Sequence, residues 1–194
     1  MTAKCQRTIV IFGSSRPLVG SAEYQQAYEL GKELVGAGYQ IANGGYGGTM
    51  AGAGQGAKEA GAATTGVTCE AFGRKGSNSW IDKEIRTKDL SERLQTLIEL
   101  GDGYVVLPGS TGTLLELAMV WELVNKQFLP PRPIICLTDY WKPVLDVVLG
   151  TGEADGAGIG IAGSCGQVVQ MLEDAFAESS AVGGGEDEDC EACK

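Results

Sequence analysis

The chain has 194 residues, 43% of them apolar, a formal net charge of −10, a sequence pI near 4.5, six cysteines and no histidine. That size supports one domain with a full hydrophobic core. The acidic balance, without a Lys/Arg stripe, argues against nucleic acid as the main ligand, and no apolar run approaches the roughly 18–20 residues of a membrane helix. Without histidine there is no Ser-His-Asp triad, no His-x-x-x-His zinc helix and no imidazole base, so acid–base chemistry would fall to carboxylates, Lys, Tyr, Cys or water.

Residues 8–12 (TIVIF) form a short β-branched run that reads as a buried strand. Ser21 can cap a helix whose Tyr24, Ala27, Tyr28, Gly31, Leu34 and Val35 share one face, stopped at residues 36–38. A second strand is predicted over 39–43, a small-residue helix over 49–60 and a third strand over 64–68. Residues 70–80 show no period and read as loop. A helix over 89–100, a strand over 103–107, a helix to Lys126, a strand over 133–137 and a helix through Trp141, Val144, Leu145 and Val148 follow. Residues 150–164 read as Gly-rich loop with room for a short strand, and a last helix carries Val168, Val169, Leu172 and Phe176.

This alternation predicts an α/β domain over 1–178, a doubly wound, mostly parallel sheet with helices on both faces. Residues 179–194 are expected to be an acidic, disordered tail. The segment Met1–Gln6 carries no secretory pattern, so a cytoplasmic location is expected. Cys5, Cys69, Cys136 and Cys165 suit buried thiols of a reducing compartment. Cys190 and Cys193 end an acidic stretch, where an incidental or redox-labile pair is a better reading than a thioredoxin or zinc motif.

Ligands of such sheets bind outside the carboxyl ends of the strands, and three loops there have unusual sequences. Pro108-Gly109-Ser110-Thr111-Gly112-Thr113 runs from strand into helix. Glycines allow close backbone approach, and a helix start offers free N–H groups and a positive dipole end. The loop suits a phosphate, with three hydroxyls as extra donors. It is not a Walker loop, because no Lys follows the glycine. Gly44-Gly45-Tyr46-Gly47-Gly48-Thr49-Met50 is equally explained by ligand binding or by close helix–sheet packing, and Gly13-Ser14-Ser15-Arg16 by an anion site or a capped surface turn.

Two charged residues stand out. Arg93 falls on or beside the apolar stripe of Leu90, Leu94, Leu97 and Ile98, where a guanidinium needs a partner, a ligand or a path to solvent. Glu116 sits in the first turn of the nearly all-apolar helix after residue 113, as a dipole partner or as the best-placed catalytic carboxylate; Glu122 is the runner-up.

Residues 12–16 (FGSSR), the 44–50 loop, Arg93 and residues 108–116 (PGSTGTLLE) together resemble the Lonely Guy family, in the right order over about residues 8–150. The resemblance implies a Rossmann-like homodimer. It implies a phosphoribohydrolase that cleaves cytokinin riboside 5′-monophosphates or AMP to free base and ribose 5-phosphate, with no cofactor or metal. Glu116 and Arg93 would be its catalytic pair and the three Gly-rich loops its phosphate cradle. Two positions depart from the family pattern: Ser110 replaces the second Gly of Pro-Gly-Gly-x-Gly-Thr-x-x-Glu, and Leu94 replaces the Lys after the Arg. The competing reading is a non-catalytic carrier of a phosphorylated ligand, such as a nucleotide or the molybdenum cofactor. In either case the pocket walls are expected from residues 70–85, including Trp80, and from a partner subunit.

Overall fold

A computed structural model of the chain describes residues 6–152 and 158–182. Seven parallel strands form one sheet: β1 (Thr8–Phe12), β2 (Gln40–Asn43), β3 (Thr64–Cys69), β4 (Lys83–Thr87), β5 (Gly103–Val106), β6 (Ile134–Leu137) and β7 (Ile159–Ala162). Their order is β4-β3-β2-β1-β5-β6-β7, with every neighbouring pair parallel. Among the described residues six α-helices pack on the sheet: α1 (Ala22–Gly36), α2 (Thr49–Glu59), α3 (Leu90–Leu100), α4 (Thr111–Asn125), α5 (Lys142–Leu149) and α6 (Cys165–Val182). This is the doubly wound α/β architecture the alternation predicts.

The two faces of β1 show why the sheet is covered on both sides. Ile9 and Ile11 join Leu30 and Leu34 of α1, Ala53 and Ala57 of α2, and Val168 and Leu172 of α6 in one core layer. Val10 and Phe12 point the other way, to Leu97 and Ile98 of α3, Leu117 and Val120 of α4, and Leu145 of α5. A strand buried on both faces needs continuous apolar sequence, which is what TIVIF supplies.

Two glycines of α2 serve a close contact between helices. A Cβ at Gly52 or Gly56 would strike the backbone carbonyls of Tyr24 and Tyr28. They let α1 and α2 pack backbone to backbone, helix on helix rather than helix on sheet.

The segment expected as loop over 70–80 contains a one-turn helix, Glu70–Phe72, and the chain then forms β4 at the sheet edge. The last helix extends to Val182, so residues 179–182 are helical. The Cys190/Cys193 pair, Cys5 and the rest of the acidic stretch lie outside the described residues. Among the described residues no helix is long and apolar enough to cross a membrane.

Candidate functional site

Strand order reverses between β1 and β5: from β1 the chain first builds outward to β4, then crosses back to β5 on the other side of β1. The crevice at such a switch point is the natural ligand site of an open parallel sheet. A cleft of about 230 Å³ lies there, at the small end of ligand sites. The loop after β1 contributes Gly13, Ser14, Ser15 and Arg16. The segment after β2 gives Tyr46 and Met50, and that after β3 gives Phe72 and Arg74. Leu90, Arg93 and Leu94 come from α3, and Ser110 with Gly112, Thr113, Leu115 and Glu116 from the start of α4. A larger groove between α4 and α5, about 410 Å³, is lined mainly by apolar side chains such as Leu117, Trp121, Val144 and Val148, with Glu122 and Asn125 of α4 its polar residues.

The start of α4 is open to ligand. Ser110, its N-cap, makes no side-chain capping bond, and Ser110, Thr111 and Gly112 are exposed. The first-turn N–H groups have no intrahelical acceptor. Thr113 is buried beneath Gly109, where its side chain occupies the place a Cβ on Gly109 would need. Pro108 and Gly109 are half-buried, and the Gly109 carbonyl accepts a 2.7 Å hydrogen bond from the Tyr140 hydroxyl.

The α2 start is plugged instead. The Ser14 carbonyl accepts from the Thr49 N–H at 2.9 Å and from the Thr49 hydroxyl at 3.1 Å. Gly48 has a φ of 64°, and a Cβ there would meet that same carbonyl. Gly44, Gly45, Gly48 and Thr49 are buried and Gly47 is exposed, and none of the five lines the cleft. Their arrangement holds the β1 and β2 loops together.

Asn43, which the sequence reading passed over, organises that segment. Fully buried at the end of β2, it accepts from the Gly45 N–H at 2.8 Å and donates to the Met50 carbonyl at 3.1 Å. The available signal was a polar residue closing an apolar strand directly before two glycines. Phe72 and Arg74 were also missed individually, although their segment was expected to form a wall. Trp80 does not line the cleft; it packs beside Gly54 of α2.

Arg93 is 6% exposed and directs its guanidinium to three partners: the Val67 carbonyl at 2.9 Å, the Gly44 carbonyl at 3.4 Å and Glu116 Oε1 at 3.2 Å. A Cβ on Gly44 would occupy the space of Arg93 Nη2. Arg93 thus ties α3 to β3, to the β2 loop and to α4. Glu116 is 7% exposed, and burial pushes its carboxyl up to about 7, against the pull of Arg93. It is the only carboxylate lining the cleft among the described residues. Arg16 and Arg74, by contrast, have no carboxylate partner within 4 Å among the described residues. With the Arg93–Glu116 charges offsetting, the lining carries two uncompensated cations in an acidic chain. No group of three or more His, Cys, Asp or Glu comes together as a metal site among the described residues.

Fold and cleft together define a doubly wound α/β protein with a cleft at the switch point of its parallel sheet. The chain belongs to the SLOG cluster4 family, whose profile matches residues 6–147. The Lonely Guy resemblance holds at that coarser, superfamily level. Among solved structures, the X-ray structure of TM1055 is 26% identical, covers 87% of this chain and 99% of its own, and superposes with a TM-score of 0.73. The molybdenum cofactor carrier protein from Chlamydomonas reinhardtii is 21% identical, with 89% and 99% covered and a TM-score of 0.71. The molybdenum cofactor binding protein from the phototrophic bacterium Rippkaea orientalis is 22% identical, with 90% and 99% covered and a TM-score of 0.72. No curated protein matches the chain.

These structures correct the enzymatic expectation. A fold shared over nearly the whole chain with carrier and cofactor-binding proteins does not bring phosphoribohydrolase chemistry with it. The assignment as a hydrolase acting on cytokinin nucleotides, with Arg93 and Glu116 as its catalytic pair, is therefore withdrawn. In the structure the Glu116 carboxylate lines the cleft, buried and paired with Arg93.

Proposed function

We propose that this protein binds and carries, without turnover, a small phosphorylated molecule in the switch-point cleft, of the nucleotide or phosphorylated-pterin class to which the molybdenum cofactor belongs. One observation carries the reading: Arg16 and Arg74, both without a carboxylate partner among the described residues, line a cleft that also holds the exposed first turn of α4. A dianionic phosphate at the start of α4 satisfies its free N–H groups and is drawn by the Arg16 guanidinium, while Arg74 lies on the wall formed after β3 and is left for the rest of the ligand. The Ser110 and Thr113 hydroxyls add donors to the same wall. The Arg93–Glu116 pair acts as a strut beneath the ligand. Among the described residues no cysteine lines the cleft, and recognition of a metal-bearing pterin would rest on the phosphate and rings that the lining residues can meet.

Calorimetric titration with AMP, a cytokinin riboside monophosphate and molybdopterin tests this, with chromatography for free base alongside. The expected result is saturable binding of at least one of them, weakened about tenfold in Arg16→Ala, and no base release above a protein-free control. Catalytic accumulation of free base, or no binding of any phosphorylated compound, overturns the proposal.

A further inference from the structure

The wall of the cleft farthest along the sheet from α4 has its own chemistry. Tyr46 is almost buried, and its hydroxyl is fixed at both ends of one residue, accepting from the Cys69 N–H at 2.8 Å and donating to the Cys69 carbonyl at 3.3 Å. Phe72 lies against it, ring centroids 6.0 Å apart at 44°. Phe72 is nevertheless 42% exposed and faces the cleft. The Arg74 guanidinium sits 4.6 Å from the Tyr46 ring centre, and Arg93 is 5.7 Å from both rings. A rigid aromatic, an open aromatic and a guanidinium without a carboxylate partner thus meet in one corner of the cleft.

We infer that Phe72 and Arg74, backed by Tyr46, form the subsite for a planar bicyclic heterocycle, purine- or pterin-like in class, on the ligand whose phosphate rests at the start of α4. This rests on the binding reading above and names its ligand more closely. The strand order separates the two ends: the corner belongs to the loop after β3 and the phosphate end to the loop after β5, three strands apart in the sheet. A mononucleotide or phosphorylated pterin carries both a phosphate and a ring to meet the two ends, whereas an inorganic phosphate or a sugar phosphate has no ring for the corner.

The chemistry of the corner selects the ring. The exposed Phe72 face loses its contact with water when a flat ring covers it, and offset or tilted aromatic pairs are favoured beyond the area they bury. Arg74 can stack on the same ring or donate two hydrogen bonds to adjacent acceptors on its edge, the pattern a guanine-like carbonyl and ring nitrogen present. Arg74 is the corner's open donor, so rings that present acceptors on their edge are preferred over rings that only donate.

The test compares GMP, ribose 5-phosphate and inorganic phosphate by calorimetry on the wild type, Phe72→Ala, Phe72→Trp and Arg74→Ala. The expected wild type binds GMP about tenfold or more tighter than ribose 5-phosphate. Phe72→Ala loses about that factor for GMP and stays within about twofold for ribose 5-phosphate, while Phe72→Trp retains GMP binding. Arg74→Ala weakens GMP more than ribose 5-phosphate. Phe72 is exposed, so its truncation leaves the fold intact, as a thermal melt verifies. Equal wild-type affinity for GMP and ribose 5-phosphate, or unchanged GMP affinity in both Phe72→Ala and Arg74→Ala, overturns the subsite while leaving phosphate binding standing. A wild type that binds none of the three removes the binding reading and the subsite with it.

Discussion

Arg93 Nη1 lies 3.2 Å from Glu116 Oε1, with both side chains buried between α3 and α4. The pair makes the cleft floor pH-sensitive. Burial raises the Glu116 carboxyl from 4.5 to about 7, so between those values the folded chain holds a proton the unfolded chain has released. The contribution of this group to stability is therefore full below about pH 4.5 and is lost as pH rises to about 7, a difference on the order of 3 kcal/mol. Glu116→Gln removes that dependence. Urea denaturation at pH 5 and pH 7.5 should show the variant gaining on the wild type by roughly that amount at the higher pH. Parallel pH dependences for the two proteins would sink the assignment.

Asn43 offers a second test of the site's scaffold. It satisfies the Gly45 N–H and the Met50 carbonyl from a fully buried position. Asn43→Ala leaves both groups unpaired in the interior and should cost about 2–4 kcal/mol. Asn43→Asp keeps the acceptor but turns a carboxylate oxygen towards the Met50 carbonyl, so it should be no better. An Asn43→Asp protein as stable as the wild type in urea would contradict this arrangement.

These residues also show what could be read before the structure. The strands β1, β5 and β6 were legible as short, mainly apolar runs, as suits parallel strands buried on both faces, and β2 and β3 from their place in the alternation of strands and helices. β4 was not: Lys83, Glu84 and Arg86 are exposed and line the sheet edge, where charge discourages pairing with other chains and erases the apolar signal. Arg93 and Glu116 were legible as oddities, charges on apolar helix faces. Their contact was anticipated only through the family resemblance and not from residue spacing, because it depends on α3 and α4 packing on one face of the sheet. Likewise Phe72 and Arg74 become wall residues only once Tyr46 is placed between the β2 and β3 loops.

Gly48 and Gly47 are adjacent but should respond differently to alanine. Gly48 combines a φ of 64° with a close approach to the Ser14 carbonyl, so Gly48→Ala strains the backbone and pushes the β1 loop away. A loss of about 2 kcal/mol or more in stability is expected. Gly47 is exposed and its nearest obstacle, the Ser15 carbonyl, is 3.5 Å from the added carbon. Gly47→Ala should stay within about 0.5 kcal/mol of the wild type. Thermal melts of the two variants decide the matter, and equal losses would refute it.

Tyr140 acts on the cleft from outside it. Its hydroxyl donates to the Gly109 carbonyl at 2.7 Å, while the neighbouring Trp141 Nε1 donates to the Leu107 carbonyl at 3.0 Å. The peptide plane that carries the Gly109 carbonyl also carries the Ser110 N–H, pointing the opposite way across a trans bond. Holding the carbonyl therefore fixes the direction of that N–H at the start of α4, where Ser110 lines the cleft. Tyr140→Phe removes one hydrogen bond from a half-exposed side chain, so unfolding should change by no more than about 1 kcal/mol. Affinity for AMP should nonetheless fall about threefold to tenfold, because the loop must now be ordered by the ligand itself. Calorimetry on the variant separates the two effects: weaker binding at nearly unchanged stability marks Tyr140 as a positioning residue, and unchanged binding shows that the β5–α4 loop holds its shape without it.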